Sequence, residues 1–76
     1  MDFLTVNSIG GSIWSFNKDQ IEMVIKRFSF SKDDLEQIPQ LVGLDSCAII
    51  RLKGLDRDYY CKDSYESIMA KLGEGK

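Results

Sequence analysis

The sequence predicts an α+β domain: a small antiparallel β-meander of about four strands, twisted or barrel-like, with a C-terminal helix packed on it and a short helical insertion before the last hairpin. Three observations carry this expectation. Residues 47–62 alternate with the period of two that a hairpin with unlike faces requires, and residues 65–72 switch to a helical period. Upstream, a Gly10-Gly11 pair splits a second alternating stretch. Residues 1–76 read as one domain.

In chain order, FLTVNSI and SIWSFN flank the glycines. A two-residue Gly-Gly turn sets Trp14 opposite Asn7, which wastes the largest apolar side chain. A three-residue loop, Ile9-Gly10-Gly11 with Gly11 left-handed, instead sets Val6 opposite Trp14 and Leu4 opposite Phe16, and is preferred. Asn17-Lys18-Asp19 makes a tight connection. QIEMVIKRF fits a strand through Ile21, Met23 and Ile25, and also a helix through Ile21, Val24, Ile25 and Phe28. Its β-branched content and the brief connection before it favour the strand. Ser31-Lys32-Asp33-Asp34 opens a short helix that Pro39 limits to a turn or two. The whole excursion, residues 31–46, interrupts an otherwise simple meander, and long connections in compact domains often carry function.

In the last hairpin, a four-residue loop from Lys53 to Asp56 sets Leu52 opposite Arg57, Ile50 opposite Tyr59 and Ala48 opposite Cys61. The same register pairs Arg51 with Asp58. Two independent preferences, apolar matching and charge matching, thus select one alignment. Asp63, with Glu66 three residues on, forms a candidate capping box for a helix whose apolar stripe is Tyr65, Ile68, Met69 and Leu72, and Gly73 and Gly75 end it. The expected core is Leu4, Val6, Trp14, Phe16, Ile21, Met23, Ile50, Tyr59, Ile68 and Leu72.

At 76 residues, the chain stands near the lower limit for unaided folding, because so short a domain buries only roughly 60% of its unfolded surface. Its hydrophobic fraction of 43% and charged fraction of 29% are those of a globular domain. No apolar run reaches membrane-spanning length and no signal-peptide pattern is present, so a cytoplasmic protein without a membrane partner is expected. A net charge of -2 lacks the basic footprint that displaces counterions from phosphates, which makes nucleic acid an unlikely partner.

The chain has no histidine, which removes His-based acid-base catalysis, Ser-His nucleophiles and His metal sites. Two cysteines are too few for a structural zinc site, and the hairpin register places Cys47 and Cys61 on opposite faces as free thiols. Asp56, Asp58 and Asp63 match no calcium-loop spacing and have Arg51, Arg57 and Lys62 as competitors. No cofactor and no enzymatic activity are expected. The face carrying Ile49, Arg51, Asp58 and Tyr60 points away from the predicted core, and its residue types are those of interface centres. Either it binds a partner or Leu41, Val42 and Leu44 of the excursion fold over it. Asp33, Asp34, Glu36 and Asp45 form an acidic lobe that is either a solvated face or a docking surface.

Gly11-Ser-Ile-Trp-Ser-Phe-Asn17, Asp19-Gln-Ile21 and Lys62-Asp-Ser-Tyr-Glu-Ser-Ile68 together resemble the small flagellar FlbD-type proteins and the phage and bacterial proteins that share their pattern. The resemblance spans most of residues 4–36 and 47–72, while residues 31–46 and the longer turn from Lys53 to Arg57 depart from it. It implies a small antiparallel sheet or barrel closed by a helix, without enzymatic activity. The functional expectation is a non-enzymatic protein–protein interaction or regulatory module, of phage, mobile-element or bacterial cytoplasmic origin. It binds another protein or itself through Ile49, Tyr60 and Arg51 with Asp33, Asp34 and Glu36. The alternatives are an acidic inhibitor that mimics nucleic acid and a flagellar or motility accessory protein.

Overall fold

The computed structural model describes residues 3–73. Strands β1 (Phe3–Asn7), β2 (Ile13–Asn17) and β3 (Ile21–Arg27) are followed by helix α1 (Lys32–Gln37), strands β4 (Cys47–Leu52) and β5 (Asp58–Cys61), and helix α2 (Tyr65–Gly73). Short 3-10 turns, Lys18–Gln20 and Pro39–Leu41, join β2 to β3 and continue α1. The α+β class is the expected one, and residues 21–27 are a strand. No helix among the described residues is long and apolar enough to cross a membrane.

Among the described residues, five strands form two antiparallel sheets, β1-β2 and β3-β4-β5, in place of a single meander of about four strands. The end of β1 is laced to β5 by an isolated Ser8–Cys61 bridge. Around it, the Ile9 amide donates to the Tyr60 carbonyl at 3.0 Å and the Lys62 amide to the Asn7 carbonyl at 2.7 Å. No barrel closes, because β2 and β3 are each paired on one side among the described strands and do not pair with each other.

Both hairpins adopt the registers that apolar matching selects. Leu4 faces Phe16 and Val6 faces Trp14 in the first. Ala48 faces Cys61, Ile50 faces Tyr59 and Arg51 faces Asp58 in the second. Gly11 takes φ +98°, closing the three-residue loop in a conformation that L side chains rarely adopt. Beyond Arg51 the second hairpin opens earlier than expected: β5 begins at Asp58, so Leu52 and Arg57 are not a ladder pair.

Leu4, Val6, Phe16, Ala48, Ile50, Cys61 and Ile68 form the buried core, with Trp14, Ile21, Val24, Leu52, Tyr59, Tyr65 and Leu72 packed against it. Trp14 is half-buried and meets the Tyr59 ring edge-on, centroids 5.2 Å apart. Phe16 completes the cluster at 5.1 Å from Tyr59. The expectation that Met23 lies in the core is corrected: its side chain is 42% exposed. The cause is a bulge between Ile21 and Met23 that lets Glu22 stand as an extra residue. An extra residue turns the following side chains over. Val24 therefore joins Ile21 on the core face, and Met23 is carried off it.

The helix cap is also displaced by one residue. Ser64 Oγ, not Asp63, accepts from the Ser67 amide at 3.1 Å, and the Ile68 amide reaches the Ser64 carbonyl. Asp63 is held elsewhere, by Asn7 Nδ2 at 3.0 Å and Lys71 Nζ at 3.5 Å. Glu66, the expected partner in the box, pairs instead with Lys26 at 2.7 Å. Gly73 is the last residue of α2, and Gly75 lies outside the described residues.

Ile68, buried at the centre of the α2 face, should lose about 2–5 kcal/mol of stability on truncation to alanine. Val24→Ala should cost clearly more than Met23→Ala, whose change should stay near about 0.5 kcal/mol. Urea denaturation of the three variants measures both expectations, and the reverse order for Val24 and Met23 would place the bulge wrongly.

Candidate functional site

The sheet face opposite the core is covered by the chain itself. Ile49 on that face is 0% exposed, so it cannot meet an outside partner directly. Leu41 from the excursion is 1% exposed and, like Ile49, stands apart from the main core cluster. Arg27, at the end of β3, fastens the cover: its Nη1 donates to the Tyr60 hydroxyl at 3.5 Å and lies 3.8 Å from Asp34 Oδ2 on α1. Burial and the neighbouring Asp34 carboxylate together raise the Tyr60 pKa above its ordinary value. Of the three expected covering residues, Leu41 covers, whereas Val42 is 67% and Leu44 42% exposed.

The other predicted site residues are distributed accordingly. Arg51 donates from Nε and Nη2 to Asp58 Oδ1 at 3.0 and 2.8 Å, and this carboxylate raises its pKa. Asp34 completes the α1 capping box, its Oδ2 accepting from the Ser31 amide while its own amide donates to Ser31 Oγ. Asp33 and Glu36 are exposed on the outer side of α1. The predicted set is therefore split: Ile49 is interior, Tyr60 and Asp34 serve the cover, and Arg51 is held by Asp58.

A cleft of about 510 Å³ opens where three segments converge. The glycine turn, Ile9 to Gly11, forms one wall; Gln40, Leu44 and Ser46 at the end of the excursion form the second; Lys62 to Glu66, entering α2, form the third. Cys47, Ala48 and Cys61 lie at its base. The volume falls in the range of ligand-binding cavities. Most of the charge at its mouth is already committed, since Asp63 is held by Asn7 and Lys71 and Glu66 by Lys26. What the cleft offers is Ile9, Leu44, the side of Tyr65 and two small glycine positions.

The thiols at the base are poor nucleophiles. Burial pushes Cys61 up to about 12 and also raises Cys47, whose Sγ donates to the Cys61 carbonyl at 3.4 Å. Both are free. The neutral thiol is the form that packs, and only a thiolate attacks. This cleft was not visible in the sequence, because its walls come from residues some fifty positions apart; the one local signal was the paired glycine.

Comparison with protein-family models, with curated proteins and with solved structures returns no match.

A folded pKa above the unfolded one means that protonated Cys61 favours the folded state. That contribution is whole below the unfolded thiol value of 9.0 and is lost as pH rises toward about 12. Chemical denaturation across this window should show stability falling, and Cys61→Ala should have a shallower slope than the parent. Equal slopes would show that Cys61 is not buried in its neutral form.

Proposed function

We propose that the protein is a non-enzymatic protein–protein interaction module that takes an apolar segment of a partner protein into the cleft between the glycine turn, the excursion and α2. The observation that supports this reading most directly is Leu44, 42% exposed at the cleft wall, with Val42 67% exposed two residues before it on the same excursion. Adjacent exposed aliphatics beside a concave site are what a partner's side chain can desolvate. Protonated thiols and carboxylates already engaged by Lys and Asn speak for recognition rather than chemistry. A cytoplasmic setting fits two free, buried cysteines. The acidic-mimic reading draws less support, because Asp34 is committed to Ser31 and Arg27.

Panning a random-peptide display library on the folded protein, then titrating an enriched peptide into the isotopically labelled chain, tests the reading. The amides of Gly10, Gly11, Leu44 and Ala48 should shift, and Leu44→Glu should weaken binding by about tenfold or more, ~1.4 kcal/mol. Peptides that bind the Leu44→Glu variant equally well would remove the cleft from the proposal.

A further inference from the structure

We propose that residues 31–46 are a hinged cover, which swings away from the sheet as one body while the rest of the domain stays folded, and so bares Ile49 and Cys47 without opening the core on the other face. This goes beyond the cleft reading, and its test needs no partner.

The hydrogen bonds of the segment show how it is held. Leu35 donates to Ser31, Ile38 to Asp34, Leu41 to Ile38, Val42 to Pro39 and Leu44 to Leu41, so each of these backbone bonds closes inside the segment. The capping box of Ser31 and Asp34 does the same with side chains. Among the described residues, no backbone hydrogen bond runs from the segment to either sheet. A body whose backbone groups are satisfied internally leaves none of them unpaired when it moves. Its ion pair with the sheet, Arg27 to Asp34, spans 3.8 Å between side chains 35% and 29% exposed, and a pair so open to water holds weakly. Leu41 is its one fully buried side chain, and α1 buries none. Few buried groups and a weak tether give a segment a low opening free energy.

The connections at its two ends add little restraint. Between β3 and Ser31, Phe28 is 69% exposed and Ser29 is exposed. Between Leu41 and β4, Gly43 sits at φ +87°, a conformation glycine enters and leaves without steric cost. The sheet, in contrast, has its own support. β4 stays hydrogen-bonded to β3 on one side and to β5 on the other. Cys61 belongs to the core cluster with Leu4, Val6 and Ile68, whereas Cys47 does not, so the two thiols report separately on the two faces. Gln40, Leu44 and Ser46 travel with the cover, which means that the cleft is whole only while the cover is shut.

Alkylation of the full chain with dilute iodoacetamide, mapped to each cysteine by peptide mass spectrometry, tests the inference. Each rate is divided by the rate of the same thiol in the urea-unfolded chain, which gives a protection factor. Cys47 should be at least about tenfold less protected than Cys61, since it reacts through the smaller opening. Low urea should reduce the protection of Cys61 steeply and that of Cys47 hardly at all, because opening the cover exposes little new surface. Ile68→Val weakens the core but not the cover, so it should lower Cys61 protection roughly two- to tenfold and leave Cys47 unchanged. Leu41→Ala should lower Cys47 protection by about tenfold or more. Equal protection of the two thiols in the parent, Cys47 protection that follows Cys61 in urea or in Ile68→Val, or a Leu41→Ala variant with Cys47 as protected as in the parent would each overturn the proposal.

Discussion

Cys47 to Ile50 are four consecutive buried residues in β4, the central strand of the three-stranded sheet, and the rest of the structure is arranged around covering both of its faces. A strand buried on two sides needs two covers. Ile50 and Ala48 are covered by the first hairpin and α2, through Leu4, Val6, Phe16 and Ile68. Ile49 and Cys47 face the other way, toward the excursion that supplies Leu41 and is fastened by Arg27. Residues 31–46 are thus a second wall of the fold as well as a surface. A chain this short has few large side chains to spend on one core, and placing the sheet between two covers lets Ile49 and Ile50 both be removed from water.

Legibility in the sequence followed the number of independent constraints on each element. The registers of both hairpins were readable because one alignment alone placed Trp14 and Phe16 on Val6 and Leu4, and another joined Arg51 to Asp58 while matching Ile50 to Tyr59. Met23 was misplaced because the alternation of Ile21, Met23 and Ile25 looks unbroken, and nothing in the string marks Glu22 as the extra residue. The cap was misplaced because Asp63 and Ser64 are both good capping residues. The competition was decided by Asn7 and Lys71, which hold the Asp63 carboxylate from sequence-distant positions.

The site was less legible than the fold for the same reason. Ile49 and Tyr60 stood out correctly as apolar and aromatic groups on the face away from the core, but whether a partner or the chain covered them depended on where residues 31–46 went. Once Leu41 is spent as cover, Val42 and Leu44 turn outward, and the end of the excursion becomes a wall of the cleft. Glycine at 10 and 11 keeps the opposite wall low. The cleft proposed above as a binding surface is therefore a by-product of burying β4, which links the functional proposal to the fold.

The claim on which this depends is that β4 is the last element to lose its protection. Native-state amide hydrogen exchange, read residue by residue, tests it most directly. The Ile49 and Ile50 amides should exchange only through global unfolding, at the free energy measured by denaturant, while amides of the β1-β2 hairpin exchange through smaller openings. If the β1-β2 amides outlast those of Ile49 and Ile50, the central position of β4 is contradicted.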